Sequence, residues 1–223
     1  MGVGMRNRGK NVGQLRRKMS QRDSYDRVLI VCEGEKTEPT YFSDLIDHHA
    51  LNTANVEVTG ECGSSPQCVL DFAIKKFKES TNEGNAFDRV YCVIDRDGHE
   101  GYDNVVQKFD SIRPKATYIL ANSVPCFEYW LLLHHELLTK PYANLPGNSV
   151  GKQVLHDLKK HIPKYEKSCN GLFQELLPLL EKAKSNAKQA LAQAKAVGTD
   201  NPTTKIHVLV DDLQSLHDQR KRR

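Results

Sequence analysis

The chain has 223 residues, 39% hydrophobic and 27% charged, with a formal net charge of +4, enough to bury the core of one α/β domain with a helical extension. No run approaches the roughly 18 apolar residues of a membrane span, and the opening MGVGMRNRGK lacks the apolar stretch of a secretory signal, so a cytoplasmic address is expected. The six cysteines contain no CxxC pair and no regular framework, which favours reduced thiols over a zinc site or disulfide scaffold.

Residues 1–24 are expected to form a basic flexible arm. Residues 1–22 carry seven Lys/Arg and no acid, and RKRR closes the chain at 220–223. Setting these eleven aside leaves 21 basic groups against 28 acids in residues 23–219, a formal charge of −7 on the body. Such arms act either as solubilising tails or as phosphate-attracting segments that bind nucleic acid without sequence preference. Arg6, Arg8, Lys10, Arg16, Arg17 and Lys18 are the candidate contacts.

An α/β domain is expected over 25–138. RVLIVC (27–32) predicts a strand, and TEPTYFSDLIDHH a helix with Tyr41, Phe42, Leu45 and Ile46 on one face. NVEVTG (55–60) predicts a second strand. SPQCVLDFAIKKFKES (65–80) opens on Ser-Pro and aligns Val69, Leu70, Ala73, Ile74 and Phe77, as a helix would. DRVYCVID (88–95) predicts a third strand, GYDNVVQKFDSI (101–112) a helix, and KATYILAN (115–122) a fourth strand. VPCFEYWLLLHHELL then predicts an apolar helix with Pro125 near its first turn. Strands alternating with helices, several nearly continuous in apolar residues, indicate a parallel sheet covered on both faces.

From about residue 138 no further strand is expected. KPYANLPGNSVG predicts a loop, VGKQVLHDLKKHI a helix, 171–197 a long helix broken near Pro178, and NPTTKIHVLVDDLQSLHDQ a capped helix. The 139–219 segment is thus a helical extension, followed by the basic tail 220–223. Adjacent His134 and His135 point in different directions on a helix and do not suit a metal pair. Trp130 suits the core better than a base-stacking platform.

Chemistry concentrates where apolar strands end in acids. The first strand runs into Glu33, Glu35 and Glu38, and the third ends at Asp95 with Asp97 two residues on. In a parallel sheet the C-terminal strand ends share one edge. Neighbouring strands about 4.8 Å apart would bring Glu33, Asp95 and Asp97 together. Like charges at close range disfavour ionisation unless a cation sits among them, and oxygen-rich sets suit Mg²⁺ or Mn²⁺. Lys36 and Arg96 are the cations nearest in sequence. Gly34 suits a tight strand exit with unusual backbone angles, and Gly98 could serve likewise. Glu35 and Glu38 also suit a helix start. Glu128, near the start of the apolar helix, is either a further ligand or outer-shell acid, or a buried acid satisfied by helix-start amides.

VCEGEKTEPTYF, VIDRDGH, NSVPCFEYWLLLH and NPTTKIHVLV, in that order, resemble the RloB-like family, found beside ATPase genes in prokaryotic defence loci. The first two also resemble the wider Toprim domain, with its Glu-Gly after the first strand and Asp-x-Asp after the third. That resemblance implies a Toprim-like fold and metal-ligand roles for Glu33, Asp95 and Asp97, beside Gly34. Related nucleases carry a second acid shortly after the Glu-Gly. Glu38 is its counterpart, one residue further on than in the shortest such motifs.

The expected activity is metal-dependent phosphodiester hydrolysis of DNA or RNA, with Mg²⁺ or Mn²⁺ held by Glu33, Asp95 and Asp97 and joined by Glu38 and Glu128. Lys36 would contact phosphate, and Glu35 or Glu38 would relay a proton. The chain has no GxxxxGK[ST] loop, so P-loop ATP hydrolysis would fall to an ATPase partner. A regulatory or sensor subunit of that ATPase is the alternative, and a helical interaction protein on a scaffolding sheet is a third.

Overall fold

A computed structural model describes residues 26–51, 56–96, 101–114 and 117–221. They form a five-stranded sheet in the order β2-β1-β3-β4-β5, built from β1 (Val28–Cys32), β2 (Val56–Thr59), β3 (Arg89–Asp95), β4 (Tyr118–Val124) and β5 (Thr203–Thr204). The first four strands are parallel, and β5 pairs antiparallel with β4. The helices are α1 (Thr37–His48), α2 (Pro66–Asn82), α3 (Tyr102–Ser111), α4 (Phe127–Leu132), α5 (Val150–His161), α6 (Leu172–Leu176), α7 (Leu180–Ala196) and α8 (Ile206–Lys221).

Every residue of β1 is buried because both faces of the sheet are covered. Alternate strand residues point to opposite layers. Leu29, Val31, Val90, Cys92 and Ile94 pack with Val69, Leu70 and Ala73 of α2 and Tyr102 and Val105 of α3. Val28, Ile30, Cys32, Tyr91 and Val93 pack with α1 and α4–α8 in the larger core. Each such aliphatic side chain contributes about 1.5–3 kcal/mol on burial. The Ser65 hydroxyl accepts the Cys68 amide at 3.3 Å and caps α2, whose first residue is Pro66.

Two features depart from sequence expectation. The segment predicted as a capped helix from Asn201 first makes a strand: Thr203 and Thr204 pair with Val124 and Ser123, and α8 starts at Ile206. Two residues are too few to show a period-2 pattern, so β5 is visible only through its partner. The apolar helix after β4 is shorter than predicted, with Pro125 near its first turn as expected, one residue before the N-cap Cys126. Its end tightens into bonds from the His134 and His135 amides to the Leu131 and Leu132 carbonyls. Side chains of α7 satisfy the exiting carbonyls: Asn186 donates to Leu133 O at 2.8 Å and Lys182 to His135 O. The predicted break near Pro178 is present, a 3-10 turn at Leu177–Leu179 joining α6 to α7. No helix among the described residues is long and apolar enough to cross a membrane.

Candidate functional site

β1 and β3 are neighbours, with Cys32 opposite Val93. The chain continues past β1 so that the Glu33 amide donates to Val93 O at 3.0 Å. The Glu33 side chain turns across to β3, where its Oε2 accepts the Asp95 amide at 3.0 Å. Asp95 in turn accepts the Phe127 amide on Oδ2 at 3.0 Å, which ties the end of β3 to the start of α4. That amide is an orphan donor of the helix start.

Glu38, in the first turn of α1, and Glu128, in the first turn of α4, are both buried beside these groups. Burial pushes the Glu38 carboxyl up to about 7, with Glu128 and Glu33 adding to the rise against a backbone hydrogen bond and Lys167. Burial likewise holds Asp95 well above the usual carboxylate range, with Glu38, Glu128 and Glu33 raising it further. Burial and the acids around them thus disfavour the charged forms of Glu38 and Asp95.

Gly34 makes the cluster possible by lacking a side chain. A Cβ there would lie 2.0 Å from Glu38 Oε2, so the carboxylate rests directly on the glycine. Its φ is outside the left-handed region. The expected need for unusual backbone angles is therefore replaced by a need for space. Gly60, at the end of β2, has a related role: its Cβ would meet Gly34 O at 2.3 Å and Glu35 Cα at 2.9 Å. The loop after β1 lies against the end of β2 only because Gly60 is bare.

A cleft of about 280 Å³ opens over the cluster, lined by Glu33, Glu38, Glu128, Lys36, Phe127 and Lys167 among others. Glu35 and Lys36 are exposed on its rim. Of the two cations nearest in sequence, Arg96 turns away to pair with Asp200 at 2.5 Å. The positive charge comes instead from Lys167, whose Nζ lies 3.1 Å from Glu128 Oε1. The Tyr165 hydroxyl donates to the same oxygen at 3.4 Å. Glu128 is therefore a buried acid, with a lysine and a tyrosine as partners in addition to any helix-start amide.

Sequence reasoning missed Lys167, Tyr165 and Gly60. The stretch PKYEKSCN has no periodicity, and only its position in space marks it. Asp97, Gly98, Arg6, Arg8, Lys10, Arg16, Arg17 and Lys18 lie outside the described residues. His134 is fully buried with Nδ1 against Trp130 O at 3.1 Å, while His135 stacks on His161, so the two imidazoles do diverge. Trp130 is fully buried in the core. All six cysteines are free.

A larger cleft, about 570 Å³, lies between α5 and the segment after α4. Its Lys160 pairs with Asp157 and its His161 with Glu136.

A scan of family models matches RloB-like protein over residues 28–213, which spans the sheet, both helical layers and every described acid of the cluster. The chain belongs to the RloB-like family. No curated protein and no solved structure matches it significantly. The donor set of this RloB-like protein, carboxylate oxygens in a partly dry cleft, fits a hard divalent cation such as Mg²⁺ or Mn²⁺. Among the described residues no three His, Cys, Asp or Glu side chains stand in an arrangement that would already hold an ion.

Proposed function

We propose that this RloB-like protein is a metal-dependent nuclease with a Toprim-like centre, acting on DNA or RNA in a prokaryotic defence system alongside an ATPase partner. One observation carries the reading: Glu33, Glu38, Asp95 and Glu128 are buried together at the C-terminal edge of a parallel sheet, with the carboxyls of Glu38 and Asp95 pushed up by burial and by the acids beside them. Buried like charges are costly without a cation to offset them.

Glu33, Asp95, Glu38 and Glu128 would hold Mg²⁺ or Mn²⁺, with Asp97 joining them by its place in the Asp-x-Asp motif. When bound, the metal activates water and offsets charge on the phosphate and its leaving oxygen. The chain's own residues orient the site. The Asp95 amide fixes the Glu33 carboxylate, the Phe127 amide fixes that of Asp95, and Gly34 gives Glu38 room to approach. Lys36, exposed on the rim, is placed to meet a backbone phosphate. The basic residues of the arm would draw a polyanion toward an acidic body.

The test is incubation of the purified protein with Mn²⁺ and separate DNA and RNA pools, wild type beside Asp95→Asn and Glu33→Gln. Cutting by the wild type that both variants lose by 100-fold or more supports the proposal. Intact Mn²⁺ binding with no cleavage of either pool, even with the cognate ATPase, would favour a regulatory subunit of that ATPase instead.

A further inference from the structure

The carboxylate cluster draws a cation from the helical extension. Between α5 and α6 the chain makes a strap, residues 162–171, whose Lys167 and Ser168 line the cleft. Tyr165 anchors it: the ring is 1% exposed and the hydroxyl reaches Glu128. Ser168 fixes its far end, donating its amide to Thr37 Oγ1 at 3.2 Å, at the start of α1. Ser168 has φ of 79°, in the left-handed region that side-chain-bearing residues seldom adopt. Held backbone of this kind persists only where surrounding contacts fix it, and it clusters at ligand clamps and switch regions.

Between the two anchors sits Lys167. Its side chain is 69% exposed while that of its partner Glu128 is 6% exposed. The lysine therefore reaches in from solvent to a carboxylate that has almost none. Removing the charged partner of a buried carboxylate is costly, so Glu128 is better served by exchanging one cation for another than by losing it. A flexible, exposed ammonium can leave at little cost, because it regains its hydration as it goes.

We propose that Lys167 is the resident counter-ion of the cluster, holding Glu128 until a divalent cation displaces it, so that the lysine and the metal compete for one carboxylate. The proposal rests on the cluster's being a metal site, but not on its cutting anything. Displacement would leave the ammonium free beside the cleft it lines. The strap thus couples metal entry to the helical extension, because the competing charge belongs to that half of the chain.

The test is Mn²⁺ affinity by titration calorimetry on the full chain at low ionic strength, without nucleic acid. Lys167→Met should bind Mn²⁺ about fivefold tighter than wild type, the upper end of what a partly exposed ion pair contributes. Lys167→Arg, which keeps the charge, should stay near wild type. Lys36→Met removes a cleft cation that is not paired with Glu128 and should change affinity by less than Lys167→Met. Unchanged or weaker binding in Lys167→Met, with its melting temperature intact, would overturn the proposal. Equal tightening in Lys36→Met would also overturn it, since the effect would then be the general field of the cleft. No Mn²⁺ binding by wild type or Lys167→Met would remove this proposal and the metal site together. Tighter binding in Lys167→Met by a protein that cleaves neither DNA nor RNA would uphold it and remove only the nuclease reading.

Discussion

Glu33 Oε2 accepts the backbone amide of Asp95 at 3.0 Å, so the acid that ends one strand is positioned by the main chain of the acid that ends its neighbour. The bond uses a donor that does not depend on the Asp95 side chain. A change of the Asp95 carboxylate therefore leaves Glu33 in place and alters only charge and coordination.

Asp95→Asn separates stability from function on that basis. The carboxamide oxygen can still accept the Phe127 amide, while repulsion from Glu38, Glu128 and Glu33 disappears. The metal-free variant should be more stable than wild type by about 1–2 kcal/mol, as is common where an active site is relieved of strained charge. It should also lose the rise in melting temperature that Mn²⁺ gives wild type. Calorimetry with and without Mn²⁺ measures both, and a variant less stable than wild type in EDTA would contradict the expectation.

In the metal-free protein the raised carboxyls should cost stability as pH rises. Glu38 is pushed from 4.5 up to about 7, chiefly by burial, and Asp95 is raised as well. The folded protein then retains protons that the unfolded chain has released, so stability declines between the unfolded and folded pKa values. For Glu38 the whole effect is about 3 kcal/mol, of which about 1 kcal/mol remains above pH 6.5. His134, pushed from 6.5 down to about 4 by burial, acts in the opposite direction, as do His135 and His207, which burial also lowers, and their contribution grows with pH until the unfolded imidazoles have lost their protons, about one unit above 6.5. Comparison with Glu38→Gln, which keeps the histidines, isolates the Glu38 carboxyl between pH 6.5 and 8. Thermal unfolding in EDTA should show wild type losing stability relative to Glu38→Gln from pH 6.5 to pH 8, and saturating Mn²⁺ should abolish that loss. No loss relative to Glu38→Gln across that window in EDTA would show that the fold does not hold the Glu38 proton.

The two bare glycines should fail in different ways. Gly34→Ala forces Glu38, a side chain, to move from a 2.0 Å contact, so the fold should survive while Mn²⁺ affinity falls by tenfold or more. Gly60→Ala collides with the Gly34 carbonyl and the Glu35 Cα, which belong to the backbone. It should cost about 1–3 kcal/mol of stability, as overpacking does, and weaken Mn²⁺ binding from a position that touches no ligand. Unfolding midpoints in urea and Mn²⁺ titrations distinguish the two. A Gly60→Ala protein with wild-type stability would contradict the close approach.

Residues 1–138 should not fold alone. The larger core joins Ile30, Tyr41, Phe42 and Trp130 to Leu158, Phe173, Leu180, Ala187 and Leu209 of the extension. Truncation after Leu138 also removes β5 from the outer edge of β4. The fragment is expected to aggregate or to bind a hydrophobic dye such as ANS without a cooperative melt. A monomeric fragment with a sharp transition would show that the extension only decorates the sheet.

Much of the centre was legible in the chain itself. VLIVC and VYCVID declare strands buried on both faces, because apolar side chains that alternate between two layers leave no polar face. Parallel strands place their ends at one edge, so Glu33 and Asp95 follow from their positions after those runs. Lys167, Tyr165 and Gly60 were not legible. Their roles depend on approach between segments far apart in sequence, and no periodicity or local propensity encodes it.

The sequence by itself determined the α/β alternation, the edge where acids collect and the helical character of the second half, since each follows from local pattern and from the direction of parallel strands. Only the tertiary structure decided that Glu38 rests on Gly34, that Arg96 turns to Asp200, and that a lysine from the extension answers Glu128. Burial and charge pairing depend on distances across the fold, and a linear chain specifies those only after every layer has packed.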